Sequence, residues 1–131
     1  MLGVGAGAMD MTMGYLKERK QFGTVIGSYQ ALQHRAAHLY SEMEVARAAV
    51  LKAQQMLDAG DENADRAVSV AKAMSGAATT LSVQEGIQMH GGIGMTDEYD
   101  IGFFMKRQRV LAEMFGDQNY HADRIARMAG Y

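Results

Sequence analysis

The apolar residues between Leu32 and Leu57 recur at alternating steps of four and three. This spacing places them on one face of a helix, and it is typical of a helix packed along a near-parallel neighbour. The chain contains no proline, so the strongest helix breaker is missing. The segment therefore predicts one long helix whose buried stripe is Leu32, Ala36, Leu39, Met43, Ala46, Val50, Ala53 and Leu57.

A second stripe follows after a short connection. Gly60 suits the left-handed position after a helix, and Asp61 suits an N-cap with Glu62 in the next turn. So short a loop predicts that the two helices run antiparallel. The second stripe is Ala64, Ala67, Ala71, Met74, Ala78 and Leu81, and it continues in step to Glu85 and Gln88. The two polar positions indicate either the edge of a ligand site or a helix end in solvent, and the pattern favours neither.

Glycines mark the ends of the remaining helices. The run from His90 to Gly94 stops the second long helix. Thr96 is the predicted N-cap of a further helix, with acidic residues in its first turn. Phe115-Gly116-Asp117 breaks that helix, and Asp117 is predicted to cap a last helix that ends near Met128.

The N-terminal segment combines glycine with alanine and methionine. Each glycine inside a helix costs about 0.5–1 kcal/mol relative to alanine, so these glycines make sense if another helix or a ligand presses close. Phe22-Gly23 is the predicted turn out of this helix. The sequence thus predicts an all-α fold, an antiparallel up-and-down four-helix bundle with a short extra C-terminal helix, in one domain over residues 1–131.

Composition excludes several classes of function. The chain has no cysteine, which excludes disulfides and thiolate metal sites. Its net charge is −2, so nothing favours nucleic acid or an anionic membrane as a partner. No uncharged apolar run reaches the ~18 residues of a membrane span, and no signal-peptide pattern is present. We expect a cytoplasmic protein.

Metal and nucleophile chemistry find little support. His34 and His38 are spaced i, i+4, but no Glu-x-x-His pair of the kind used by di-iron bundles is present, so we expect no metal site. There is no Gly-x-Ser-x-Gly elbow. The glycines from Gly91 to Gly94 lack the preceding strand of a dinucleotide-binding fingerprint.

Anion binding is the chemistry that remains. The glycines after Gln88 offer backbone N–H groups, and the helix predicted to begin at Thr96 favours negative charge at its N-terminus. Arg19 can add a guanidinium for phosphate. The alternative is that Arg19 only meets the dipole at a helix C-terminus, and spacing alone favours that alternative.

Three motifs in combination resemble the C-terminal domain of the acyl-CoA dehydrogenases, and the resemblance covers essentially the whole chain. The motifs are Arg19-Lys20-Gln21-Phe22-Gly23, Gln30, and Gln88-Met89-His90-Gly91-Gly92-Ile93-Gly94. The resemblance implies a helical bundle, which agrees with the stripes. It also implies FAD as cofactor, an acyl-CoA substrate, a homo-oligomer or hetero-oligomer, and electron-transfer flavoprotein as a candidate partner.

The resemblance also implies roles for individual residues. Arg19 would contact the FAD pyrophosphate and Gln30 would hydrogen-bond the same cofactor, which in the family belongs to a neighbouring subunit. The glycine motif would line the ADP portion, and Asp117 either reaches the flavin region or only caps the last helix. The expected cofactor-binding residues are Arg19, Phe22, Gln30, Gln88, His90, Gly91, Gly92 and Asp117.

One position departs from the commonest family pattern. There a glutamate removes the α-proton of the acyl-CoA while FAD takes the β-hydride, but Phe115 stands at that place and cannot accept a proton. Glu113 points to a nearly opposite helix face and does not replace the glutamate. The base is therefore expected upstream of Met1 or on a partner subunit.

Two functions remain open at this stage. The whole protein would desaturate an acyl-CoA to the trans-2-enoyl-CoA, or this chain would be a base-less subunit or helical assembly module that pairs with an active subunit. Family members also carry an N-terminal α domain and a middle β domain, which are not among these 131 residues. We expect a piece that folds as a bundle, presents part of an FAD site and does not turn over substrate alone.

Overall fold

The computed structural model describes residues 1–131 as five α-helices with short connections. The helices are α1 (Leu2–Glu18), α2 (Gln30–Asp58), α3 (Ala64–His90), α4 (Ile101–Glu113) and α5 (Gln118–Met128). Between them lie two short strands, β1 (Lys20–Gln21) and β2 (Thr24–Val25), and two 3-10 turns, Ile26–Ser28 and Gly91–Met95. The predicted all-α bundle is confirmed. None of the helices carries an apolar stretch of the length and hydropathy that a membrane crossing requires.

A small hairpin joins α1 to α2. Strands β1 and β2 pair antiparallel, with Lys20 opposite Val25. Phe22 and Gly23 form the loop, with φ angles of 53° and 81°, as a two-residue hairpin turn with two left-handed positions requires. The predicted turn is confirmed. The strands themselves were not predicted, because two residues are too few to show an alternating pattern.

The connection between α2 and α3 differs from the prediction at one residue. Gly60 has a φ of 63°, which confirms its left-handed position after α2. Asp61 is not the N-cap of α3, because Asn63 occupies that position and α3 begins at Ala64. The Asp61 carboxylate instead accepts a hydrogen bond from the Asn63 backbone N–H at 2.8 Å, which closes a local turn before the helix begins.

The start of α4 also lies later than predicted. The N-cap position belongs to Asp100, not to Thr96. Thr96 ends the second 3-10 turn: its hydroxyl donates to the Ile93 carbonyl at 2.8 Å and accepts from the Glu98 N–H at 3.3 Å. A threonine that forms such a local turn competes with helix capping. The predicted cap of α5 is confirmed, because the Asp117 carboxylate accepts from the Tyr120 N–H at 2.7 Å.

Helix α3 lies at the centre, with α1, α2, α4 and α5 all packed on it. The main apolar cluster joins Met9 of α1, Leu39 and Met43 of α2, and Ala78 of α3. The stripe predicted for α2 is buried in its middle, whereas Leu57 at its end is 54% exposed. The core therefore lies where the stripes of α2 and α3 meet α1.

The glycines of α1 let its backbone approach its neighbours closely. The Gly5 carbonyl accepts a hydrogen bond from the buried Ser82 hydroxyl at 2.7 Å. A Cβ atom at Gly5 would lie 2.8 Å from the Cε of Met43, and one at Gly7 would lie 2.7 Å from the Phe104 ring. The expectation that another helix presses on these glycines is confirmed for Gly5 and Gly7.

Two glycines of α3 offer a matched test of this packing. A Cβ at Gly86 would meet the Thr12 hydroxyl at 2.9 Å and Ile101 at 3.0 Å, and both side chains are fully buried. We expect Gly86→Ala to lower the free energy of unfolding by about 1–3 kcal/mol, because neither neighbour has room to move. Denaturant unfolding measures this change.

Gly76→Ala is the control, since the nearest atoms to its new Cβ lie 3.9 Å away. Alanine has a better helix propensity than glycine by about 0.5–1 kcal/mol, so the free energy of unfolding of this variant should match or exceed that of the wild type. Equal losses for the two variants would contradict close packing at Gly86.

Candidate functional site

A groove of about 520 Å³ opens at the end of the bundle where α1 and α3 finish and α2 begins. It brings together six of the eight predicted binding residues: Arg19, Phe22, Gln88, His90, Gly91 and Gly92. The lining is completed by Tyr15, Gln21, Ile26, Tyr29, Leu32, Arg35, Met89 and Ile93. We call this site the arginine groove.

The other two predicted residues lie outside the arginine groove. Gln30 is the exposed first residue of α2, next to Tyr29, which does line the groove. Asp117 lies beside Lys72 near the opposite end of the bundle. Lys72 and His90 of α3 are eighteen positions apart, which corresponds to roughly 27 Å at 1.5 Å per residue. One contact patch on this chain therefore cannot include both Arg19 and Asp117.

Gly91 and Gly92 shape one wall of the arginine groove. Gly91 ends α3 with a φ of 67°, a left-handed position that favours glycine. Its N–H is donated to the Gln88 carbonyl, so the expected free donor is used within the chain at this residue. Both glycines are exposed, with no side chain or backbone atom near their missing Cβ positions. They leave room for a ligand to approach the backbone.

His90 places a hydrogen-bond acceptor without a partner at this groove. Its side chain is buried, and its ring stacks on Tyr15 with the centroids 4.3 Å apart. The Nδ1–H donates to the Gly86 carbonyl at 2.6 Å, which leaves Nε2 as an acceptor in the neutral ring. No group in the chain pairs with that Nε2. Buried polar atoms of this kind are normally paired with a protein group or an ordered water.

Arg19 is an exposed guanidinium on a fixed backbone. Its N–H donates to the Tyr15 carbonyl at 2.9 Å, and its own carbonyl accepts from the Ile26 N–H at 2.8 Å. The side chain forms no ion pair with any carboxylate of the chain. Arg19 is therefore available to a negatively charged ligand.

A second guanidinium in the arginine groove was missed by the sequence reasoning. The Nε of Arg35 donates to Glu85 Oε2 at 2.6 Å, and this hydrogen bond raises the pKa of the guanidinium although partial burial opposes the change. The polar end of the α3 stripe was the available signal. Glu85 is half-buried and paired, and Gln88 is exposed at the groove, so the polar end of the stripe lies at the arginine groove.

A different, mostly apolar groove of about 530 Å³ lies at the far end of the bundle. Its polar lining includes Lys72, whose amine donates to the carbonyls of Ala112 at 3.0 Å and Gly116 at 2.6 Å. Burial lowers the pKa of Lys72, while the carboxylates of Asp117 and Glu113 oppose that change. Lys72 thereby holds the end of α4 and the turn after it.

Phe115 lines this apolar groove and has an unusual backbone. Its φ is 62°, a left-handed value that is rare for a bulky residue, and its side chain is 86% exposed. His121 fixes the residue, because its Nε2–H donates to the Phe115 carbonyl at 2.9 Å. The side chain at this position carries no group that exchanges a proton.

The histidines that suggested a metal site lie apart from both grooves. His34 and His38 are exposed on α2, and His38 Nδ1 lies 4.0 Å from Glu42 Oε1. No group of three or more histidine, aspartate or glutamate side chains converges in this structure.

Comparisons with known proteins show which family this chain is similar to. The family model described as acyl-CoA dehydrogenase, C-terminal domain, matches residues 1–130. The short/branched chain specific acyl-CoA dehydrogenase of Bos taurus mitochondria is 34% identical over 127 residues, which cover 97% of this chain and 29% of the bovine protein.

Two solved structures have the same fold. A variant of the steroid ACAD Tcur3481-Tcur3483 has a TM-score of 0.93 and 31% identity, covering 98% of this chain and 36% of that one. PigA in complex with FAD has a TM-score of 0.90 and 25% identity, covering 98% of this chain and 33% of PigA. The chain thus spans about a third of the length of these relatives.

The role of Lys72 can be tested by stability. Lys72→Met keeps the aliphatic stem but leaves two part-buried carbonyls without their donor. We expect the free energy of unfolding to fall by about 1–3 kcal/mol. Lys52→Met, at an exposed lysine of α2 without a hydrogen bond or ion pair, should change it by less than about 0.5 kcal/mol. Equal changes in the two variants, measured by denaturant unfolding, would refute this role.

Proposed function

This chain belongs to the acyl-CoA dehydrogenase family as its C-terminal domain, and we propose that it is part of an FAD-dependent enzyme that desaturates an acyl-CoA. In this proposal the chain contributes FAD contacts and an oligomer interface. The observation that carries the proposal is the arginine groove, which combines an unpaired guanidinium, an open glycine wall and the unpartnered Nε2 of buried His90. The flavin ring, which accepts the electrons, would be bound by parts of the protein outside these residues. The same parts would bind most of the CoA.

The chemistry of the arginine groove fits the ADP half of FAD. A diphosphate favours a guanidinium such as that of Arg19, since charge-assisted hydrogen bonds to phosphate are strong. The exposed Gln88 amide can donate and accept at an adenine or ribose edge. Gly92 leaves the approach free of side chains. When bound, FAD supplies the acceptor for the hydride that leaves the acyl β-carbon.

The separation of the two grooves supports an assembly of several subunits. The arginine groove and the apolar groove beside Phe115 lie near opposite ends of α3, roughly 27 Å apart along its axis. We propose that the arginine groove serves the FAD of a neighbouring subunit. Tyr40 and Leu51 are exposed on the same face of α2, eleven residues apart, and are available to such an assembly. Gln30 and Phe22 belong to the proposed contact set, as does Asp117 at the other end.

The proton acceptor of the reaction is not supplied at Phe115. Its ring has no basic atom, so the α-proton would pass to a carboxylate elsewhere in the whole protein or on a related partner subunit. The proposal places the protein in the cytoplasm, with an electron-transfer flavoprotein as the acceptor of its electrons. The competing function is a base-less subunit that works only beside an active one, and Phe115 is the observation that favours it.

Arg19→Ala tests the proposed contact with FAD. In the purified native oligomer we expect the dissociation constant for FAD to rise about tenfold or more, because one charge-assisted contact with phosphate is lost. Lys17→Ala is the matched control, since it removes a charge from the same helix end outside the groove. Flavin absorbance per protein after gel filtration gives the occupancy. Unchanged occupancy in Arg19→Ala would refute the assignment.

Flavin reduction separates the two functions. We expect the whole protein, purified without any other subunit, to be yellow and to lose its flavin absorbance when acyl-CoA is added. The measurement is the anaerobic visible spectrum before and after addition. Bleaching that requires a second, related subunit would favour the base-less alternative, and a colourless protein that takes up no FAD would refute the proposed function and favour a helical assembly module.

A further inference from the structure

Arg35 differs from the other arginines of the chain because it is both held in place and open to the arginine groove. It lies on α2, and its partner Glu85 lies fifty residues later on α3, so the ion pair bridges two helices. The Nε–Oε2 distance of 2.6 Å is short, as expected of a charge-assisted hydrogen bond. The side chain is thereby oriented before any ligand arrives.

The pair with Glu85 occupies only one of the five donors of the guanidinium. The Nη1 and Nη2 groups have no hydrogen-bond partner in the chain, and 40% of the side chain is exposed. Arg35 lines the same groove as Arg19, Gln88 and His90. Its free donors therefore meet whatever the groove holds.

We propose that Arg35 is a second ligand-binding guanidinium of the arginine groove, which contacts the diphosphate of the bound dinucleotide while Glu85 fixes its orientation. This inference rests on the proposed function and adds to it. A diphosphate carries two charges and several acceptor oxygens, which is more than one exposed arginine satisfies. An arginine whose rotamer is already fixed loses less side-chain entropy on binding than a mobile one.

The test compares two ligands that differ only in the diphosphate. ADP and adenosine are titrated calorimetrically into the flavin-depleted native oligomer, for the wild type and for Arg35→Gln. We expect Arg35→Gln to weaken ADP binding about tenfold, because one charge-assisted contact is lost. The affinity for adenosine should stay unchanged within error. The ADP affinity of the variant should also fall less steeply with salt, since it has one cation fewer.

A double variant separates a lost contact from a stranded charge. Arg35→Gln leaves the Glu85 carboxylate unpaired beside the ligand, whereas Arg35→Gln combined with Glu85→Gln leaves no charge there. We expect the double variant to bind ADP as weakly as Arg35→Gln does. If the single variant does not fold, the double variant is compared with the wild type in its place. Recovery of wild-type affinity in the double variant would overturn the proposal.

The remaining outcomes distinguish a failure of this inference from a failure of the proposed function. An equal loss of ADP and adenosine affinity in Arg35→Gln would show a structural role only and would overturn the inference. Weaker ADP binding in Arg19→Ala, with wild-type binding in Arg35→Gln, would overturn this inference and leave the proposed function standing. If the wild type binds neither ADP nor FAD, the proposed function itself fails.

Discussion

The close packing around α3 is the constraint on which the rest of the structure depends. Its buried face is made of small residues, including Gly76, Ala78, Ser82 and Gly86, so four other helices can approach its backbone. The fully buried Thr12 and Ile101 fill the space beside Gly86. Because protein interiors are close-packed, one extra methyl group at such a contact forces the neighbouring side chains or backbone to shift.

A central helix of this length also fixes how far apart the two candidate sites lie. The C-terminal end of α3 carries Gln88 and His90 to the arginine groove, while Lys72, near its start, holds the turn at Gly116. A continuous helix does not shorten or bend by more than a small amount without a break. The two sites are therefore rigidly separated within one chain, which is why the proposed function joins them through neighbouring copies.

Much of the fold was predictable because it rests on local patterns. The steps of four and three identified α2 and α3, and Gly60 and Asp117 marked helix ends through their own backbone or side-chain preferences. Asp61 and Thr96 misled, because a side chain that can cap a helix can also close a local turn. Whether such a side chain caps the helix or closes a turn depends on where the neighbouring helix packs.

The candidate site was predictable only in part, because some of its contacts join residues that are far apart in the sequence. Arg19, Gln88 and the glycines stand in short motifs, whereas the Arg35–Glu85 pair joins residues fifty positions apart. No pattern within a single helix marks that pair, although the polar end of the α3 stripe marked one half of it. The sequence also does not show that the Nδ1 of His90 is bonded to the Gly86 carbonyl and that its Nε2 has no partner.

The turn at Phe115 is held by hydrogen bonds to its main chain. A bulky residue with a φ of 62° costs roughly 1–3 kcal/mol, and such a conformation persists only when its surroundings impose it. Here the Lys72 amine donates to the Gly116 carbonyl and the His121 ring donates to the Phe115 carbonyl, so both acceptors are main-chain atoms of the turn. Neither bond uses the side chain of Phe115. The proposed function therefore looks for the proton acceptor on residues other than Phe115.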